Sequence, residues 1–304
     1  MHIGQSYKLI EFLLWTRRNI YWLFVIGAIP TILYQVLHWK WIALPWTVVA
    51  LLGTATAFIV GFKNTQTYSR TWEARQIWGS ILNSSRAWGI MCRDYMDDVK
   101  ASKDLIYRHF AWLTALRYQM RESKAWESTH KIYNKEYMAY YSVPEKESTL
   151  ELELAKYIPA EEVLQIMATK NKAVQLLGLQ SKAIKELYEQ GVIDNFRFLE
   201  MHKLISTLYD HQGKSERIKN FPYPRQFATV SSMFVKLFCI MLPFSMLKDF
   251  DKLNDSVGGF MQGQMVWLVV PFSMLVSWVY TSLEQVGEST ENPFEGSAND
   301  VPIS

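Results

Sequence analysis

Charge is what this 304-residue chain lacks, and it lacks it in blocks. Residues 19–39, 41–62 and 256–283 carry no Lys, Arg, Asp or Glu, and residues 226–247 carry only Lys236. The whole-chain figures, 20% charged residues and a mean hydropathy of -0.05, hide that segregation. Each block is about as long as the roughly 20 residues a helix needs to cross a hydrocarbon core of about 30 Å. Trp and Tyr gather near the block ends (Trp15, Tyr21, Trp22, Trp39, Trp41, Trp46, Trp267, Trp278, Tyr280), as they do at membrane interfaces. The pattern excludes an ordinary soluble globule and predicts four transmembrane helices. The first block starts too far in, and has no small-residue cleavage pattern, to be a removable secretory signal.

Cysteine is nearly absent. Cys92 and Cys239 are far apart and fit neither a disulfide framework nor a metal-ligand spacing, so both are expected as small buried apolar groups. The six histidines form no His-x₃-His or Glu-x-x-His pattern, and there is no phosphate-cradling Gly loop and no Gly-x-Ser-x-Gly. No enzyme, no cofactor and no metal site is expected. A net charge of +3 without an aromatic-basic patch gives no reason to expect nucleic acid. Strand-type alternation and internal repeats are missing as well, leaving an all-α chain.

What is present divides the chain into four parts: 1–62, a surface helix and two spans; 63–224, a helical cytoplasmic domain; 225–283, two more spans; and 284–304, a tail. Leu9, Phe12, Leu13 and Leu14 suggest a helix lying on the membrane surface, and Arg17 and Arg18 ahead of the first span place the N-terminus in the cytoplasm. Pro30, Pro243 and Pro271 fall inside spans and predict kinks. Residues 63–224 hold 24 Lys and Arg against 20 Asp and Glu, with helical spacing over 104–122, 158–167, 172–190 and 194–211. Residues 143–154 read as an exposed loop. The FPYP segment at 221–224 should end the last cytoplasmic helix. Glu73 and Arg75 suggest a structural ion pair or charges on a helix face. Lys63 could line a pathway as an anion-attracting ring, or snorkel to lipid headgroups, the better-supported of the two.

The second span organises the rest. Gly53, Ala57 and Gly61 recur every four residues, and so do Thr54, Phe58 and Phe62, forming two narrow ridges about 100° apart. Small residues let helices approach closely in a membrane. The neighbouring Phe ridge would then project into whatever the helices surround, and an apolar ring around an axis can gate ions by dewetting. No proline interrupts the following residues, so the helix should run on beyond Phe62 into the cytoplasm, whole or in pieces.

Three segments carry a family resemblance: GFKNTQTYSRTWEARQIWG after the second span, HQGKSERIKNFPYP before the third, and LEQVGESTENPF with NDVP after the fourth. Together they resemble the bacterial branch of the bestrophin family over nearly the whole chain. The resemblance implies a homopentamer around one central pore, four spans with both termini cytoplasmic, a bacterial inner-membrane location, and lipid and permeant inorganic ions as partners. It places the hydrophobic neck at Thr54, Phe58 and Phe62; Thr54 is smaller and more polar than the usual outer neck residue. GVIDNF implies a second narrowing, the cytoplasmic aperture, at Phe196. Animal members bind calcium through a dense acidic cluster after Asn-Pro-Phe. Here only Glu295 and Asp300 follow, too few for calcium's six to eight oxygen ligands. Calcium-independent opening is therefore expected, with the two acids on a solvated face or against a neighbouring subunit. The sign of ion preference stays open. A secondary transporter and a non-conducting membrane scaffold are the rival readings.

Overall fold

A computed structural model describes residues 8–138 and 141–304. Every regular element among them is helical: α1 Leu9–Gln35, α2 Trp46–Asp94, α3 Val99–Arg121, the short α4 Ile132–Tyr137, α5 Pro144–Glu147, α6 Leu150–Leu154 and α7 Ala160–Met167, then α8 Lys172–Glu189, α9 Asn195–Asn220, α10 Arg225–Lys252 and α11 Val269–Ser289. They form two compact units, one of Arg70–Pro222 with Asn292–Ser304, the other of the described residues up to Ser69 with Tyr223–Glu291. α2 contributes to both.

Among the described residues, three helical stretches combine the length and apolarity needed to cross a membrane: Lys40–Asp94, Arg225–Asp255 and Met265–Ser289. α1 is not among them. The expected surface helix and first span are instead one helix, unbroken through Pro30; residues 2–7 of the expected surface helix lie outside the described residues. Pro271 falls inside the Met265–Ser289 stretch but in the first turn of α11, where a missing N–H leaves no intrahelical bond unmade, so the kink predicted there is not required. α2 continues without a break for 49 residues. At 1.5 Å per residue that is about 73 Å, more than twice the hydrocarbon thickness.

Close approach fixes the packing of the second unit. A methyl group added at Gly53 of α2 would lie 2.7 Å from the Phe238 ring of α10, so any larger residue there would have to displace that ring. Gly287 of α11 is tighter still against the Asn64 side chain of α2. Tyr280 stacks obliquely on Phe238 at 4.6 Å between centroids and donates its hydroxyl to the Gly53 carbonyl at 3.1 Å. These contacts register α2 against α10 and α11.

The other unit is a helical globule whose starts are written in its sequence. Asp98, Asn171 and Asp194 cap α3, α8 and α9 by accepting from the backbone N–H of Lys100 and Ala101, Val174, and Arg197. Gly191, at φ 74°, takes the left-handed position that ends α8. Its core gathers Trp78, Ile81, Trp112, Leu116, Met120, Leu176 and Leu208. The Trp112 indole N–H donates to Gln212 at 2.9 Å. α9 runs beyond its stretch of clear helical spacing to Asn220 and ends at FPYP, as expected. The expected loop at 143–154 instead contains α5 and α6. Leu154 is fully buried, and Glu145 faces Arg117 and Arg121, so side-chain burial overrides the polar appearance of that stretch.

His109 is enclosed between the rings of Trp88 and Trp112, and neither of its nitrogens has a hydrogen-bond partner. Burial pushes its pKa down from 6.5 to about 4. The unfolded chain therefore takes up a proton at higher pH than the folded one. Stability should be full above pH 6.5 and fall by about 3 kcal/mol as pH drops toward 4. Thermal midpoints measured across that window should show the loss, and His109→Phe should remove most of it.

Candidate ion pathway

The residues singled out on α2 occupy one side of the helix. Thr54, Phe58 and Phe62 are all exposed in the single chain, Phe58 at 78% and Phe62 at 46%. Phe62 touches another ring, that of Phe227, at 6.2 Å between centroids, and Phe227 is itself exposed. The small-residue ridge divides: Gly53 is buried under Phe238 of the same chain, whereas Ala57 and Gly61 are exposed, with open space where a Gly61 side chain would lie. Phe196, the second residue of α9, is 81% exposed. Large aromatic rings left bare at these positions are not part of either unit's own core.

Lys63 overturns both expectations for it. Its ammonium is buried, 2.7 Å from Glu284 of α11, with side-chain exposures of 4% and 14%. Ser231 of α10 donates to the other Glu284 oxygen at 2.5 Å. One turn on, Thr290 donates to Thr67 at 3.1 Å. The charge next to the Phe ridge therefore neither faces outward nor reaches for headgroups; it is neutralised inside the helix packing. Sequence reading missed Glu284 because 221 residues separate it from Lys63. The only signal was that each ends a charge-free block. Removing one partner of a buried pair strands the other charge. Lys63→Met should therefore cost about 3–5 kcal/mol, and Lys63→Met with Glu284→Gln should recover most of it, read as thermal melting in detergent. Glu73, in turn, pairs with Arg217 of α9 rather than with Arg75.

The tail gives the other correction. Glu295 and Asp300 are 1% and 2% exposed, so they form no solvated face. Phe294, Val301 and Ile303 enter the core of their unit, with Phe294 6.3 Å from the Trp78 ring, and carry the acids inside. Glu295 accepts from the Ser128 N–H at 2.8 Å and hydroxyl at 2.6 Å. Asp300 accepts from the Gly296 N–H at 2.6 Å and faces Arg121 at 3.1 Å. Nearby, Lys219 and Glu127 form a buried ion pair. Burial, and then the neighbouring Asp300 charge, push the Glu295 carboxyl up to about 8; burial raises Asp300 against the pull of Arg121. Lys219 is pushed down by burial against its carboxylate neighbours.

The architecture is thus that of an all-helical protein with membrane-crossing helices and a bare aromatic ridge on the longest of them. The family described as bacterial/fungal bestrophin protein matches residues 18–304. The chain is 24% identical over 254 residues to the voltage-dependent anion channel-forming protein YneE of Escherichia coli (strain K12), covering 84% of this chain and 70% of that one. It is 25% identical over 289 residues to the voltage-dependent anion channel-forming protein RSc3414 of Ralstonia nicotianae, covering 92% and 81%. The crystal structure of a bacterial bestrophin homolog from Klebsiella pneumoniae superposes with a TM-score of 0.77 at 24% identity, over 94% of this chain and 92% of that one. This chain belongs to the bacterial and fungal bestrophin family.

Proposed function

We propose that the protein is the subunit of a homopentameric ion channel that conducts small monovalent ions through a pore with a hydrophobic neck. The observation that carries this reading is the ridge of Thr54, Phe58 and Phe62 on the unbroken α2, exposed in the single chain although two of its residues are phenylalanine. Surrounded by lipid it would be an ordinary apolar face; copies ringed around an axis would turn it into a dewetting constriction. Ala57 and Gly61, exposed beside it, leave room for a neighbouring copy to approach. Phe196 forms the second, cytoplasmic aperture. The relatives named as anion channel-forming proteins support the class. In this reading α1 is the first of four spans, both termini are cytoplasmic, and the membrane is the bacterial inner one. Opening needs no calcium, because the acids that follow Asn292-Pro293-Phe294 are already engaged by Ser128, Gly296 and Arg121.

Reconstitution of the purified protein in a planar bilayer tests the reading. Steady single-channel steps, unchanged by calcium chelation, are the expected result. Saturable flux coupled to one substrate would make it a transporter, and silence a scaffold; either outcome removes the channel.

A further inference from the structure

The α2 face that bears the ridge does not end at Phe62. With each residue turning about 100°, positions 54, 58, 62, 65 and 69 fall within an arc of roughly 80°, so Thr65 and Ser69 continue the same stripe. Both are exposed. Each hydroxyl gives its proton to a carbonyl of its own helix: Thr65 to Gly61 at 3.0 Å and Ser69 to Thr65 at 2.9 Å. Thr54, at the other end of the stripe, does the same to Ala50 at 3.0 Å. A hydroxyl has one proton and two acceptor lone pairs. Once the proton is committed to the i−4 carbonyl, what the side chain offers outward is oxygen. Of the charges that flank this stripe on α2, Lys63 is sealed against Glu284, and Arg70 turns its guanidinium to the carbonyls of Ile218 and Phe221.

On the reading that this stripe lines the pore, we infer that Thr65 and Ser69 are specificity-determining residues, and that they favour monovalent cations over anions. In a ring of copies they supply two layers of outward oxygens immediately beyond the aromatic constriction. These replace part of a cation's hydration shell as it leaves the dry neck, the service that rings of oxygen dipoles provide in other selective pores. An anion meeting the same wall must first break a hydroxyl–carbonyl bond to obtain a donor. Ion preference would thus rest on two neutral side chains, with no ring of charge involved.

The experiment is a reversal-potential measurement in asymmetric potassium chloride on the whole protein in bilayers. The wild type should reverse toward the potassium equilibrium potential. Thr65→Val with Ser69→Ala keeps the shape, removes both oxygens, and should lower the potassium-to-chloride permeability ratio several-fold while current persists. The single variant Ser69→Ala should fall between. If currents flow and the ratio is unchanged in the double variant, or if the wild type favours chloride, the inference is overturned although the pore stands. If the wild type passes no current at all, it is the channel reading itself that fails. An assembled double variant, confirmed by its elution volume and melting point beside the wild type, keeps loss of folding apart from loss of preference.

Discussion

Single-channel conductance rises severalfold when Phe58 and Phe62 are both replaced by alanine; that is the expected result with the largest effect on current. A constriction that gates by dewetting depends on apolar walls close enough to exclude water, and removing two aromatic rings per subunit both widens the passage and lets it fill. The fold should tolerate the change. Phe58 is 78% exposed and Phe62 46% exposed in the single chain, and Phe62 touches another ring at its rim, that of the exposed Phe227. The α2 packing is held elsewhere, by Gly53 under Phe238 and by Lys63 against Glu284. Truncating buried core rings would cost about 3–5 kcal/mol each, whereas these two remove little that the chain itself has buried. Phe58→Ala alone should produce an intermediate conductance. Unchanged currents from a correctly assembled double variant would mean that the ridge faces lipid.

Much of this molecule is legible in its sequence because its strongest signals are local. Blocks of span length with at most one charge mark α10 and α11, the absence of proline after Pro45 marks the long α2, and Asp98, Asn171, Asp194 and Gly191 punctuate the helical unit. The exposed faces of α2 follow from 3.6-residue periodicity alone. What could not be read are pairings across long separations. Lys63 looks like a pore or interface charge until Glu284 is brought beside it by the packing of α2, α10 and α11. Glu295 and Asp300 look like a solvated tail until Phe294, Val301 and Ile303 are seen to pull them into a core. The stretch with α5 and α6 is polar in composition, yet Glu145 finds two arginines there. In each case a charged residue is buried because a distant partner makes burial tolerable, and no local pattern encodes that partner. The oxygen stripe at Thr65 and Ser69 is the intermediate case: its position is periodic, but the direction of its hydroxyls is set by the helix carbonyls.

The buried tail should also give the protein an alkaline weakness. Around it Glu127, Glu145, Glu295 and Asp300 are all nearly excluded from water, while among the described ion pairs the cations facing them are Lys219, Arg121 and the partly exposed Arg117. Acids outnumber bases, and the surplus is most readily carried as a proton on Glu295, whose carboxyl is raised to about 8 by burial and by the Asp300 charge. The unfolded tail would release that proton near 4.5. The tail's attachment is therefore complete below that value and weakens as pH climbs toward 8, by on the order of 5 kcal/mol. Amide hydrogen exchange over Asn292–Ser304, corrected for the intrinsic pH dependence of exchange, should show protection falling by roughly three powers of ten across the window. Glu295→Gln keeps the shape and an acceptor for Ser128 but cannot ionise, so its protection should stay flat with pH. Arg121→Met should act in the opposite sense, leaving Asp300 and Glu145 without their shared cation and loosening the tail even at neutral pH. A wild-type tail whose protection does not change between pH 5 and pH 9, or a Glu295→Gln variant that keeps the wild-type slope, would show that the surplus charge is balanced by something other than this proton. The two variants separate the possibilities because one removes the ionisation and the other removes its counter-charge, while neither touches Phe294, Val301 or Ile303, the apolar anchors that bring the tail inside.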